Sequence, residues 1–123
     1  MAARILIADD NEVARVRLSQ LLTYRGGWEV CAAVDSGKQA LLQAKELKPD
    51  LIIMDLAMPD MDGLNPIREI TENLPAVPIL IFTLYVATGL SLEAKKAGAI
   101  EVVSKGNAET LLTAVEEILG KAA

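Results

Sequence analysis

The chain has 123 residues, the size of one ordinary domain, and 52% of them are hydrophobic, while only 3% are aromatic. A core must therefore be built from Ile, Leu, Val, Met and Ala. The formal net charge of -5 argues against non-specific binding of nucleic acid, and the absence of histidine removes imidazole metal ligands, Ser-His pairs and Cys-His pairs.

The first apolar run is "RILIA" (Arg4–Ala8), which leads into Asp9-Asp10. It is too short for a helix and rich in Ile, so it reads as a strand buried on both faces. The opening "MAARILIADD" lacks a long apolar segment followed by a cleavage site. No apolar run approaches the roughly 20 residues that a membrane helix needs. A soluble, cytoplasmic chain with one domain over residues 1–123 is expected.

Asn11 is placed to cap a first helix with an apolar stripe of Val13, Val16, Leu18, Leu21 and Leu22. Arg15 and Arg17 on it read as a solvated face, as do Lys95 and Lys96 further on. "WEVCAAV" (Trp28–Val34) reads as a second, less uniform strand nearer a sheet edge. It contains Cys31, the one cysteine, expected to be a small core residue. A lone cysteine makes an internal disulfide impossible and suits a reducing compartment.

Ser36 with Gln39 fits a capping box for a second helix, whose stripe is Ala40, Leu41, Ala44 and Leu47 and which ends before Pro49. "LIIM" (Leu51–Met54) is the third strand and leads into Asp55. The stretch "MPDMDG" then reads as a turn, with Asp60 and Asp62 on its rim and Gly63 supplying freedom in φ. Pro66 suits the first turn of a third helix carrying Ile67, Ile70 and Leu74. "PILIF" (Pro78–Phe82) is the fourth strand, ending at Thr83. A weak fourth helix, roughly 87–97, contains Gly89. "EVV" (Glu101–Val103) is the fifth strand, followed by Ser104-Lys105, and Asn107 caps a fifth helix carrying Leu111, Leu112, Val115, Ile118 and Leu119.

This alternation predicts an α/β fold: a doubly wound, five-stranded parallel sheet in the order 2-1-3-4-5, flavodoxin-like, with five helices on both faces. All strand C-termini then share one edge. Asp10 and Asp55 converge at the switch point between the first and third strands, with Thr83 and Lys105 nearby. Taken singly, each of these residues reads as a turn, a cap or a solvated side chain. Together they form a complementary set. Three carboxylates in one cleft repel one another, and a hard divalent cation relieves that repulsion without protonation. Mg²⁺ suits such oxygen ligands. A carboxylate at a metal can accept a phosphoryl group, with a lysine and a hydroxyl to meet its charge.

The motifs "ILIADDNE", "DLIIMDLAMPDMDGL", "PILIFT" and "AGAIEVVSKG" resemble the receiver domain of two-component response regulators over essentially the whole chain. The strand order is not independent of that resemblance, because receivers are themselves examples of it. The resemblance implies that Asp55 is the phosphoacceptor. It implies that Asp10 binds Mg²⁺ directly, that Asp9 does so largely through water, and that the Ala57 carbonyl is a further ligand. Thr83 and Lys105 would hold phosphoryl oxygens. The donor would be a sensor histidine kinase or a phosphotransfer protein, and the domain would catalyse only its own phosphorylation and dephosphorylation. The surface of the fourth helix, fifth strand and fifth helix would switch. A homodimer through that surface, or through the first and fifth helices, remains open.

Two positions depart from the family pattern. Val102 stands where an aromatic residue usually couples to Thr83, and Tyr85 is a candidate to supply part of the readout. Bulky Tyr85 is also expected to slow dephosphorylation, while small Ala57 leaves water access on its side. Gly106 replaces the frequent proline after the lysine, a pattern common among receivers joined to DNA-binding helix-turn-helix output domains. Other readings are an atypical receiver that acts only as an interaction module, and an aspartyl-phosphate hydrolase. The hydrolase would need a cap over the cleft, and the sequence holds no such insertion.

Overall fold

A computed structural model describes residues 2–61, 64–84, 86 and 89–120. Asp62, Gly63 and Tyr85 lie outside the described residues. The elements alternate as β1 (Arg4–Ala8), α1 (Glu12–Gly26), β2 (Glu29–Val34), α2 (Gly37–Leu47), β3 (Leu51–Met54), α3 (Asn65–Asn73), β4 (Ile79–Thr83), α4 (Gly89–Ala97), β5 (Glu101–Ser104) and α5 (Ala108–Leu119). All pairings are parallel, and the sheet order is β2-β1-β3-β4-β5. This is the predicted doubly wound fold.

Strand alternation divides the core into two layers. Leu6, Ile52, Met54, Ile79 and Ile81 face α2, α3 and α4, where Ala40, Ala44, Ile67, Ile70 and Ala94 meet them. Ile5, Ile7, Ile53, Leu80 and Val103 face α1 and α5, against Leu18, Leu22, Leu111 and Val115. Both layers exclude water from the sheet, which is why β3 is apolar at every position, and β1 and β4 at all but one, rather than at alternate ones.

The α1 stripe is narrower than the sequence suggests. Leu18 and Leu22 are buried, but Val13 and Val16 are 57% and 50% exposed. At 3.6 residues per turn the two valines stand roughly 140–160° around the helix from Leu18. Strand β2 begins at Glu29, not Trp28, and occupies the sheet edge. Its pairing with β1 slips at Cys31, between Val30 opposite Ile5 and Ala32 opposite Leu6. That extra residue accounts for its less uniform pattern. Cys31 is half-buried rather than fully in the core, and burial raises its thiol pKa. Pro78 falls outside β4, which starts at Ile79, since proline has no N–H for the ladder.

The helix starts follow their caps. Asn11, Ser36 and Asn107 accept from the amides of Ala14, Gln39 and Thr110. Gly27, at φ 71°, closes α1, its amide and that of Trp28 turning back to the carbonyls of Thr23 and Leu22. Lys48 takes the same left-handed conformation (φ 48°) at the end of α2, immediately before Pro49. Leu64 (φ 58°) does so at the start of α3, without a side-chain cap.

Candidate functional site

Four of the five strand C-termini each deliver one part of the site. Asp9 follows β1, Asp55 follows β3, Thr83 ends β4, and Lys105 follows β5. Parallel pairing brings these ends together: the Asp55 amide donates to the Ala8 carbonyl at 2.9 Å, and the Lys105 amide to the Thr83 carbonyl at 2.9 Å. Asp9 and Asp55 are each only 4% exposed, and Thr83 is fully buried. Asp10 is exposed at the mouth.

Asp9, Asp10 and Asp55 each place one carboxylate oxygen so that the three lie within 4.8 Å of one another. Lys105 Nζ lies 2.6 Å from Asp9 Oδ2 and 2.7 Å from Asp55 Oδ2. Burial alone would lower the lysine pKa. Its hydrogen bonds to Asp55 and Asp9, together with their charge, outweigh that and raise it. The ammonium is thus held charged between two carboxylates. Three carboxylates against one ammonium still leave a formal excess of two negative charges. A divalent cation would cancel it, and hard carboxylate and carbonyl oxygens fit Mg²⁺.

The neighbouring backbone is also oriented. Asp9 Oδ1 accepts from the Asn11 amide at 2.9 Å, and Asp55 Oδ1 accepts from the Ala57 amide at 3.2 Å. Ala57 is exposed beside the acids. Arg15, read from the sequence as solvated, instead donates from Nη1 to the Asp9 carbonyl at 2.8 Å. No local signal reveals this, because the partner is a backbone atom one and a half turns away on the preceding loop. Asp60 was also missed: it is not a bare rim residue but accepts from the amides of Gly37 and Lys38. Among the described residues Lys95 and Lys96 make exposed ion pairs, at 3.6 and 3.7 Å, with Glu101 and Glu93.

A groove of about 480 Å³ runs from Asp9 and Lys105 past Arg17, Leu21 and Phe82. A larger cavity, about 730 Å³, lies at the opposite edge of the sheet near Pro75, Pro78 and Ile100 and is remote from the acids. The chemistry follows the acids, not the larger volume.

Val102 is opposite Ile81 in the ladder and packs, partly buried, on the α2–α4 side of the sheet. It shares a strand face with Ser104, the partner of Thr83. The Gly106 amide donates to Ser104 Oγ at 3.1 Å, a bond that proline could not make.

A parallel sheet with convergent acids, a lysine and a hydroxyl at its switch point defines a flavodoxin-like domain with an acidic, metal-competent cleft. Residues 5–116 match the response regulator receiver domain, and the chain belongs to that family of two-component signalling domains. It is 39% identical over 107 residues to protein-glutamate methylesterase/protein-glutamine glutaminase 1 of Vibrio vulnificus, covering 85% of this chain and 28% of that protein. It is 37% identical over 105 residues to the response regulator protein VraR of Staphylococcus aureus, covering 85% of this chain and 50% of that protein. The chain thus spans between about a quarter and a half of these curated relatives. Among solved structures, a LuxR-family two-component response regulator from Aurantimonas superposes with a TM-score of 0.90 at 32% identity, covering 100% of this chain and 89% of that one. The signal receiver domain of a NarL response regulator from Mycobacterium tuberculosis, at 23% identity and a TM-score of 0.88, shares the fold over 98% of both chains. Among the described residues no helix is long and apolar enough to cross a membrane.

Proposed function

We propose that this receiver domain is a phosphoacceptor switch in which Asp55 takes a phosphoryl group from a phosphohistidine donor. The observation that carries the proposal is the position of Asp55: buried at the end of β3, within 4.8 Å of two other carboxylates and 2.7 Å from Lys105. An Asp55 oxygen attacks phosphorus, the P–N bond to the donor imidazole breaks, and that nitrogen takes up a proton. Hydrolysis reverses the modification: water attacks phosphorus, the P–O bond breaks, and carboxylate and inorganic phosphate result. Mg²⁺, when bound, neutralises charge on the transferred group. Asp9, Asp10, Asp55 and the Ala57 carbonyl would hold it. Lys105 and Thr83 would meet the phosphoryl oxygens, Lys105 as a mobile point charge and Thr83 as a hydroxyl donor.

The domain would act in the cytoplasm, and the donor would be a sensor histidine kinase or phosphotransfer protein, which supplies the imidazole that this chain lacks. The output would pass through the α4, β5 and α5 surface, to a DNA-binding domain or a homodimer partner. Likeness to a structure described as a DNA-binding response regulator of the LuxR family from Staphylococcus aureus, at 26% identity and a TM-score of 0.86, supports a DNA-binding output. Val102 favours a second reading, a receiver that binds partners without phosphorylation, since it offers no ring to move.

One experiment separates the two. The domain is incubated with Mg²⁺ and a small acyl phosphate, and an acid-stable, base-labile adduct is sought by mass spectrometry. The switch predicts the adduct on Asp55 and its loss in Asp55→Ala. No adduct on the wild type, or the same adduct in Asp55→Ala, overturns it.

A further inference from the structure

We infer that Asp60 is a positioning residue for the metal site, acting by clamping the loop that carries Asp55 and Ala57 to the N-terminus of α2. The inference rests on the reading of this cleft as a divalent-metal site.

Asp60 Oδ1 accepts from the Gly37 amide and Asp60 Oδ2 from the Lys38 amide, both at 2.9 Å. Ser36 Oγ takes the next amide, that of Gln39, at 3.1 Å. The first three amides of α2 are therefore satisfied by side chains, two of them by a carboxylate from a different loop. Such amides are otherwise left without partners in the helix, and a negative charge there is favourable. The same region is closed by contact. A Cβ at Gly37 would meet Pro66 Cγ at 2.4 Å, so α2 and the start of α3 approach as closely as glycine permits.

The loop from β3 to α3 carries internal backbone bonds. The Met61 amide bonds to the Met58 carbonyl at 3.1 Å, and the Leu64 amide to the Met61 carbonyl at 2.9 Å. Met58 and Met61 are buried and anchor the inner side of the loop. Asp60 lies between them on the outer side and is exposed. Its two bonds are the described side-chain tie from the outer side of this loop to the rest of the fold. Ala57 lies three residues before it, and the Ala57 amide is hydrogen-bonded to Asp55 itself. Asp60 is not among the three convergent carboxylates, and its two oxygens face the amides of α2 instead. Its contribution is to fix where the Ala57 backbone and the Asp55 carboxylate stand relative to Asp9 and Asp10.

A residue that only caps α2 would have a different signature. Ser36 caps the same helix, and among the described residues its side-chain hydrogen bond is to Gln39 and not to the Asp55 loop, so Ser36→Ala is the structural control. Mg²⁺ affinity is measured by calorimetry on the unphosphorylated domain, and amide hydrogen exchange is followed at Gly37, Lys38 and Ala57. Asp60→Ala is expected to weaken Mg²⁺ about tenfold, in the range seen when an outer partner of a metal ligand is lost. Its exchange should rise at Ala57 as well as at Gly37 and Lys38. Asp60→Asn, which keeps the size and one carbonyl acceptor, should fall between it and wild type. Ser36→Ala should lower stability and leave Mg²⁺ affinity unchanged. Wild-type affinity in Asp60→Ala overturns the inference, as does an equal loss in Ser36→Ala. If the wild-type domain binds no Mg²⁺ at all, the metal reading itself falls and takes this inference with it. Wild-type binding with no effect of Asp60 removes only the role of Asp60.

Discussion

Lys105 lies between two carboxylates and cannot neutralise the third. Its side chain is 19% exposed, whereas those of Asp9 and Asp55 are 5% and 4% exposed. Deleting one partner of so buried a pair is costly, because the other charges stay behind without compensation. Lys105→Met should lose about 3 kcal/mol, the low end of that range because the lysine is partly open to water. Mg²⁺ should then raise the melting temperature more in the variant than in the wild type, since the stranded acids bind the cation only when folded. The folded pKa of Lys105 is raised above its ordinary value. Its stabilisation is therefore complete below the unfolded value of about 10.4 and is lost as pH rises through the higher folded value. The gap in stability between wild type and Lys105→Met should stay flat from about pH 7 to about pH 9 and narrow in stronger alkali. Thermal melts with and without Mg²⁺ test both points, and an equal Mg²⁺ shift in the two proteins would refute the first. At this scale the sequence was readable where position along a strand decides: Asp9, Asp55, Thr83 and Lys105 all fall at strand ends. It was unreadable where the partner is distant. Asp60 reaches amides 22 and 23 residues earlier, and nothing local to "MPDMDG" marks it as different from any acid in a turn.

Among the elements, strands were legible because burial on both faces leaves an unbroken apolar run, as in "LIIM". Helix caps were legible because Asn11, Ser36 and Asn107 act on amides three residues away. The α1 stripe was overextended because Val13 and Val16 are apolar without facing the sheet, and periodicity weighs type, not direction. The turn from β5 into α5 shows a finer case. Gly106 looks like added freedom, yet a Cβ there would meet nothing closer than Ser104 Oγ at 3.5 Å, an ordinary contact. What the position uses is its N–H, bonded to Ser104 Oγ, while the Asn107 amide bonds to the Ser104 carbonyl at 3.0 Å. Gly106→Ala should therefore be neutral or stabilising by up to about 1 kcal/mol, through the lost freedom of the unfolded chain. Gly106→Pro should cost about 1 kcal/mol for the missing donor, and less in a Ser104→Ala background where the acceptor is gone. Urea denaturation of the four variants checks this. A proline variant as stable as the alanine variant would show that the bond contributes nothing.

For the molecule as a whole, the sheet separates two packed layers, and a signal from the cleft can leave through either. The groove beside Lys105 opens on the α1 and α5 side. The opposite side is reached from Thr83 along β4 and β5. There Val102 sits one strand position pair below the cleft, opposite Ile81 and packed against the α2–α4 core. A β-branched side chain is restricted at χ1, and a close-packed neighbourhood resists its rotation. Val102 therefore transmits little by moving. Just past Thr83 the packing is different: Leu84 is 72% exposed, and Val86 and Leu90 are also exposed, at 39% and 38%. These residues carry few buried contacts to hold one arrangement, so under the proposed phosphorylation they are the ones free to respond if the Thr83 hydroxyl is drawn toward a phosphoryl oxygen. Methyl-resolved NMR with Mg²⁺ and beryllofluoride should show large shifts at Leu84, Val86 and Leu90 and small ones at Val102. Val102→Ala should leave that pattern intact while lowering stability by roughly 1–2 kcal/mol, as expected for truncating a partly buried valine. Shifts at Val102 as large as those at Leu84 would place the switch in β5 after all, and a lost response in Val102→Ala would make the valine a working substitute for the ring.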